Sequence, residues 1–302
     1  MSTADKLNYL NETKEAIKTA LVEKGVSVLE SDTFRSYADK IGEISSGGSG
    51  GASTKYGLSL DNILGDVDEN GVLQAPTSKA NLNFAGVTNI GQSALSKSFK
   101  GCSYVDSITF PNLTKITNQN AFDNAFYDSS ATSVSFPVLN EISAQYGCYQ
   151  MFYSSKQLTS ADLSNLSKIS GYNSCSNMFG TCSKLEYVNI TNLKKIQMGA
   201  CTQMFYSCSA LKEIEFTNLD YIAQDGVNSM FSWCSALSKV SFPKLTSLQN
   251  SSVLSSGSTG MFYGCNALTE IHFRADMQSQ IEAQVGYSSK FGATNATIYF
   301  DL

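Results

Sequence analysis

The feature that most constrains this chain is a phenylalanine that returns at near-constant distance: Phe99, Phe126, Phe152, Phe179, Phe205, Phe231 and Phe262, with gaps of 27, 26, 27, 26, 26 and 31 residues. A period of this size marks an array of stacked supersecondary units, none of which can bury its apolar face alone. Counting each Phe as zero, the +6, +9 and +11 positions are apolar in nearly every repeat, as in Leu185/Val188/Ile190, Leu211/Ile214/Phe216 and Leu237/Val240/Phe242. This alternation predicts one strand per repeat. Two more apolar columns follow at +14 and +17, for example Leu166/Ile169, Leu193/Ile196 and Leu219/Ile222, and turn the chain inward again. The Phe126 repeat lacks one residue before its strand, so Val134, Phe136, Leu139 and Ile142 come one place early.

Upstream of each strand the apolar positions are −4, −1, 0 and +3, as in Cys175/Met178/Phe179/Cys182. This is the i, i+3, i+4, i+7 stripe of an amphipathic helix. The expectation is an α/β solenoid with one strand and one short helix per 26–27-residue rung, spanning 82–274. Leu82, Phe84, Val87 and Ile90 supply a partial first rung, after a capping hairpin region at 55–81. A C-terminal cap at 275–302 is expected to place a short helix around Ile281 and Val285 and to pair the alternating Ala296–Leu302 segment with the last rung, covering an open sheet edge.

Composition removes several functions. With a net charge of −5 there is no electrostatic footprint for nucleic acid. Charged residues make up 16%, below the usual quarter or so, and Ser, Thr, Asn and Tyr fill the outward columns instead. No stretch has the length and hydropathy of a transmembrane helix or a signal-peptide core, so the chain is expected to stay soluble, without membrane insertion. All eight cysteines fall in the two inward columns, Cys148, Cys175 and Cys201 at −4 and Cys102, Cys182, Cys208, Cys234 and Cys265 at +3. Free, buried thiols are therefore expected rather than disulfides, and without a Cys-x-x-Cys pair no zinc site is expected.

Ahead of the array, Leu7, Leu10, Ile17 and Leu21, then Phe34, Tyr37, Ala38 and Ile41, read as a helical hairpin over 1–44, followed by a Gly/Ser linker at 45–54. Leu7, Leu10, Lys14, Ile17 and Leu21 also occupy heptad a and d positions, which allows the hairpin to pack either on itself or on copies of itself. Asp66, Asp68 and Asn70 with Gly71 copy the first half of a calcium loop. Position twelve is Thr77 where a bidentate Glu is needed, so a Glu-Asn-Gly turn is the stronger reading and no metal or other cofactor is expected.

Chemistry finds little support. The single histidine, His272, sits in the +10 column with Thr109, Ser135, Asp162, Asn189, Glu215 and Ser241, all polar, and is expected at the surface with no nucleophile beside it. Glu213 and Glu270 share the +8 column with Lys239 between them, which suggests a charge ladder rather than an acid/base pair. An enzyme is not expected. Recognition is better supported, by an outward aromatic row: Tyr127, Tyr153, Tyr206 and Tyr263 at +1, and Trp233 at +2. Flat aromatic faces suit sugar rings, and Tyr mixed with Ser and Asn forms adaptable binding surfaces. The alternative for the row is that each Tyr covers the neighbouring rung. The competing ligand surface is the inner sheet face of the arc, through the solvent-facing strand residues Asp162, Tyr187, Asn189, Glu213, Glu215, Lys239, Glu270 and His272.

The repeat Phe-x-x-Cys-x-x-Leu-x-x-Ile-x-Phe-Pro-x-Leu resembles the leucine-rich repeats of the BspA-like class, which implies a leucine-rich-repeat solenoid used for recognition. The segment Leu7–Lys18 followed by Asp32–Ile44 resembles the amino-terminal module of phage tail-fibre-like proteins from gut Gram-positive hosts. Together they imply a virion tail adhesin. Its amino-terminal helices would dock to other tail proteins or form a homotrimer, and its arc would bind a host cell-surface glycan or protein. The alternative implied by the repeats alone is a bacterial surface adhesin of the BspA-like class.

Overall fold

A computed structural model describes residues 79–302, with Glu15, Lys18 and Val28. The expected hairpin, the linker, most of the capping region and the half calcium loop at Asp66, Asp68 and Asn70 lie outside the described residues. From Ala80 the chain winds as a solenoid in which every rung has three sides.

The first side is a parallel sheet built from the +8 to +10 residues. Its strands are Ala80–Asn83, Val105–Thr109, Ser133–Ser135, Ser160–Asp162 and Tyr187–Asn189, then Glu213–Glu215, Lys239–Phe242, Glu270–Phe273 and Thr297–Phe300. The second side is a six-stranded parallel sheet of two-residue strands from Lys115–Ile116 to Ser247–Leu248. Each aligns equivalent residues of successive rungs, such as Ile142 with Ile169 and Ile169 with Ile196.

The third side departs from expectation: where the sequence predicts a helix there is a run of consecutive turns. Asn173, Asn177 and Thr181 have φ of 53°, 54° and 59°, one left-handed residue every fourth position, and Asn120, Asn124 and Asp128 repeat the pattern. Asn and Asp adopt this conformation most readily among residues with a Cβ. Alternate amides close i to i−3 turns, as in Met178 N–H to Cys175 O (3.1 Å) and Gly180 N–H to Asn177 O (3.0 Å). The amides between them reach the next rung, as in Asn177 N–H to Thr202 O (3.0 Å) and Phe179 N–H to Met204 O (2.9 Å). A four-residue turn repeat buries two residues and exposes two, so Cys175, Met178, Phe179 and Cys182 all point inward, as a helical stripe would have placed them. Between residues 79 and 302 the α-helix is Gln278–Glu282, in the C-terminal cap as expected, although Val285 lies beyond its end and is exposed.

The inward columns form ladders. Phe99, Phe126, Phe152, Phe179, Phe205, Phe231 and Phe262 stack ring on ring at 5.0 to 5.9 Å. The +11 column forms a second ladder in two pieces, Phe84–Phe110–Phe136 and Phe216–Phe242–Phe273–Phe300, separated by Leu163 and Ile190. The thiols are free, and all but Cys102 are buried. Cys182, Cys208, Cys234 and Cys265 each donate their S–H to the carbonyl of the Phe one rung back, Phe152, Phe179, Phe205 and Phe231, at 3.0 to 3.1 Å. Ser155 Oγ does the same to Phe126 O at 2.9 Å. Burial pushes Cys182, Cys208 and Cys234 well up and Cys265 up to about 12, so these thiols are poor nucleophiles.

The first sheet has a seam. Tyr187–Asn189 does not pair with Glu213–Glu215, so the sheet falls into a five-stranded and a four-stranded part. Elsewhere the +11 amide binds the neighbouring strand, Leu163 N–H to Asn189 O (2.9 Å) and Phe216 N–H to Ser241 O (3.2 Å). Ile190 and Lys212 lack the corresponding bonds. Along the +7 column a hydroxyl normally reinforces the junction, Thr159 Oγ1 to Thr132 O (3.0 Å) and Ser238 Oγ to Lys212 O (3.1 Å). At the seam that position holds Lys212, which has no hydroxyl; Glu186, one rung earlier, has none either, yet its amide reaches Thr159 O at 3.0 Å and that junction closes. The other two sides run through unbroken: Lys195 and Ile196 pair with Tyr221 and Ile222, and Phe179 stacks on Phe205.

Candidate functional site

The outward aromatics predicted as one row separate into two unlike groups. Tyr127 and Tyr153 stack face to face at 5.3 Å, and Lys100 Nζ lies 4.6 Å from the Tyr127 ring centre. The far face of Tyr153 lies against Gly180, where a Cβ would come within 2.7 Å of the ring. Lys100, Tyr127, Tyr153 and Gly180 are thus a closed stack along the solenoid axis, an external counterpart of the Phe ladder. Its ring faces are already occupied, as the covering role foresaw. Tyr206 is half-buried.

Trp233 and Tyr263 form the second group. Their rings meet edge to face at 5.4 Å and remain 45% and 37% exposed. Trp233 has φ of 67°, in a column otherwise occupied at that conformation by Gly101, Asp128, Ser154, Thr181, Ser207 and Gly264. A bulky residue in the left-handed region costs energy that small or polar ones avoid. The indole lies over Gly264 of the next rung, where a Cβ would come within 2.8 Å of it. Backbone also ties the pair together, through Trp233 N–H to Tyr263 O at 2.7 Å.

Sequence reasoning passed over a third cluster. Tyr146 contacts Tyr149 and Tyr172 edge to face at 5.5 and 6.5 Å, and Tyr172 is 53% exposed with its ring against Gly199 of the next rung. Burial, with Asp123 and the neighbouring tyrosines, raises the Tyr149 pKa. The available signal was that these tyrosines fall on the two outward positions of each four-residue turn, which a helical reading does not separate.

On the first sheet, the outward face brings Tyr187, Glu213, Glu215 and Lys239 to the surface, but His272 is a correction. It is buried rather than exposed, because Tyr299 of the last strand stacks on its ring at 4.8 Å and both nitrogens are engaged. Nδ1 meets Asp301 Oδ1 at 2.8 Å and Nε2 meets Glu270 Oε2 at 3.1 Å. The imidazole therefore fastens the C-terminal strand to the preceding rung and is not free to read a ligand. Lys239 reaches Glu270 at 3.4 Å, so the expected charge ladder forms between these two, without Glu213. His272 and Lys239 together hold the Glu270 carboxyl below its usual range. No group of three or more His, Cys, Asp or Glu side chains among the described residues could hold a metal ion. Nor is any helix among them long and apolar enough to cross a membrane.

These observations meet a family. The BspA type leucine rich repeat region matches in six copies over residues 77–200, 123–258 and 175–282, and the chain belongs to that family. No curated protein matches it. Similar solved structures include a leucine-rich repeat protein of T. pallidum, 18% identical over 56% of this chain and 71% of that one, with a TM-score of 0.36. A leucine rich cell surface protein of Faecalibacterium prausnitzii A2-165 is 14% identical over 67% of each chain, with a TM-score of 0.27. A leucine-rich repeat protein of Bacteroides ovatus is 18% identical over 81% of this chain and 76% of that one, with a TM-score of 0.27.

Proposed function

We propose that this chain is a cell-surface recognition protein, an adhesin of the BspA-like class, whose solenoid presents its turn side to a ligand on another cell. The observation that carries this is Trp233: an exposed indole kept in a left-handed conformation and seated on a glycine of the next rung. The backbone does not require a tryptophan there, since Ser and Thr serve the same position in neighbouring rungs, and Trp and Tyr are the residues that dominate binding energy at interfaces. We read the protein as a binder and not an enzyme, with no cofactor.

A second form of the same reading places the solenoid on a phage tail, where the partners would be other tail proteins and a receptor on the bacterial host. It rests on the resemblance within residues 7–44. Labelled full-length chain, incubated in parallel with animal epithelial cells and with Gram-positive gut bacteria, separates the two. Retention on epithelial cells favours the adhesin, and retention on bacteria favours the tail fibre. Recognition by the turn side expects Trp233→Ala to reduce retention about tenfold or more. Equal retention of wild type and Trp233→Ala would remove the turn side as the reader.

A further inference from the structure

Resting on that reading, we propose that Trp233 and Tyr263 form a binding site for an uncharged glycan, with one pyranose ring stacked on the indole. Three independent observations converge on this chemistry. The first is geometry. Gly264 and the perpendicular ring of Tyr263 hold the indole while Trp233 stays 45% exposed, so the platform is ordered before the ligand arrives. In the Tyr127/Tyr153 stack, by contrast, Lys100, the partner ring and Gly180 already cover the ring faces.

The second is charge. The turn segments 197–208, 223–234 and 249–265 contain one charged residue between them, Asp225, and its carboxylate already accepts Asn228 Nδ2 at 2.9 Å. In the turn that follows, Lys290 points onto the Tyr287 ring, 5.4 Å from its centre. The strands of the same rungs carry Glu213, Glu215, Lys239 and Glu270 on their outward face. A charged polymer would find its counter-charges on that sheet, whereas these three turn segments offer a single carboxylate. The third is the set of polar groups that remains. Ser207 shares the Trp233 column, and two positions further on the rungs place Ser235 and Asn266, both exposed, and Ser209, whose hydroxyl donates to Ser183 O at 3.3 Å and can still accept, groups suited to sugar hydroxyls.

The physical basis is the ring quadrupole. The axial C–H bonds on one face of a pyranose carry partial positive charge and pack on the negative face of an aromatic ring, while the equatorial hydroxyls stay at the rim. Indole offers the largest such face. A protein loop could also pack on Trp233, and the test keeps that outcome separate.

Trp233 is the only tryptophan in the chain, so its emission reports on this site alone. Full-length protein is titrated with hexamers of glucose, mannose, galactose and N-acetylglucosamine, and with heparin and oligogalacturonate as charged controls. Cells that retain the protein are treated with periodate, which destroys surface sugars, or with protease. The expected result is a saturable emission change with at least one uncharged hexamer, with Kd near or below about 1 mM. Tyr263→Ala, shown to be folded by circular dichroism, should weaken it about fivefold or more. Periodate should abolish Trp233-dependent retention and protease should not. Saturation by the charged polymers alone overturns the uncharged class. No titration, with Trp233-dependent retention lost to protease but not periodate, overturns the glycan while the recognition reading stands. Retention indifferent to Trp233→Ala overturns both.

Discussion

The two parts of the first sheet share one register and one repeat yet present different surfaces. The five-stranded part, from Ala80 to Asn189, shows a face made mostly of small neutral groups, Asn81, Ser107, Thr109, Ser133, Ser135 and Ser160. These bond across rungs, as Ser107 Oγ does to Asn81 Oδ1 at 2.6 Å. The four-stranded part, from Glu213 to Phe300, carries Glu213, Glu215, Lys239, Glu270 and the clamped His272. The seam between them falls where Leu163 and Ile190 interrupt the +11 phenylalanines and where Lys212 follows Glu186 as a second successive +7 residue without a hydroxyl. The difference teaches that in a solenoid the core columns and the face columns vary independently. Continuity along the axis is carried by the Phe ladder and the turn side, which leaves the sheet free to divide and to change its charge.

If the Phe ladder is what joins the halves, cutting it should have the largest effect. Phe205 is fully buried between Phe179 and Phe231. Phe205→Ala is expected to cost about 3 to 5 kcal/mol through lost burial and a residual cavity. Chemical denaturation should then show one transition shifted as a whole, because nearest-neighbour coupling passes through this rung. Two transitions with one unshifted would mean that the seam already separates the halves.

Next in size is the clamp that belongs to the C-terminal part alone. His272→Ala removes two polar contacts to carboxylates and the stack on Tyr299, an expected loss of about 1 to 3 kcal/mol. The loss should be local. Hydrogen exchange should quicken across Thr297–Phe300 and stay unchanged at Ser133–Ser135, and an equal response at both places would contradict the local assignment.

A smaller effect comes from acid. On the second sheet Lys168 and Lys115 bracket Glu141, each at 3.2 Å, and hold its carboxyl below the ordinary range. A carboxylate pKa depressed by folding adds stability that is present above its unfolded value and is lost as the pH falls through the folded one. The pair of bridges should therefore stabilise at neutral pH and fade below about pH 4. Glu141→Gln should lower neutral-pH stability by less than about 1 kcal/mol and lessen the acid dependence, read from melting temperature against pH. A variant with unchanged pH dependence would show that these bridges contribute nothing.

Much of this architecture was legible because stacking forces like on like. The inward columns named from the repeat are buried, from Leu113 and Ile116 through Leu245 and Leu248, with Phe99, Cys102 and Val188 only partly so, and the Ala296–Leu302 segment pairs with Glu270–Phe273 through Thr297–Phe300 as its alternation suggested. The helix was misread for a definite reason: a four-residue turn with two residues in and two out produces the same apolar spacing as a helical stripe. The signal that separates them is the Asn at 120, 124, 173 and 177, outward and left-handed. Of the site, the Trp233 and Tyr263 positions were legible, but the difference between an open pair and a closed stack was not. A glycine of the following rung lies against the ring in both cases, Gly180 on Tyr153 and Gly264 on Trp233, so the difference comes from the preceding rung, which offers Tyr127 to Tyr153 but only Ser207 in the Trp233 column. His272 was misplaced because its burial comes from Tyr299 and Asp301, one rung later in the chain.

The smallest expected effect is the most specific to the seam. If the sheet divides because Lys212, coming directly after Glu186, leaves two successive rungs without the hydroxyl that Thr159, Ser238 and Thr269 supply at the same place, then Lys212→Thr should restore it, with Oγ1 donating to Glu186 O as Thr159 Oγ1 does to Thr132 O. The closed junction would bring Ile190 N–H toward Glu215 O in the pattern of Leu163 and Asn189. One backbone bond is worth about 1 kcal/mol net, so the Ile190 amide, which should exchange faster than those of Leu163 and Phe216 in the natural sequence, should slow by about fivefold in the variant. Slower exchange at Ile190 with no change at Leu163 would place the cause of the seam in Lys212. Unchanged exchange would move the cause to Ile190 itself, whose side chain leaves the gap between the two phenylalanine ladders, and Ile190→Phe would then be the substitution that closes it.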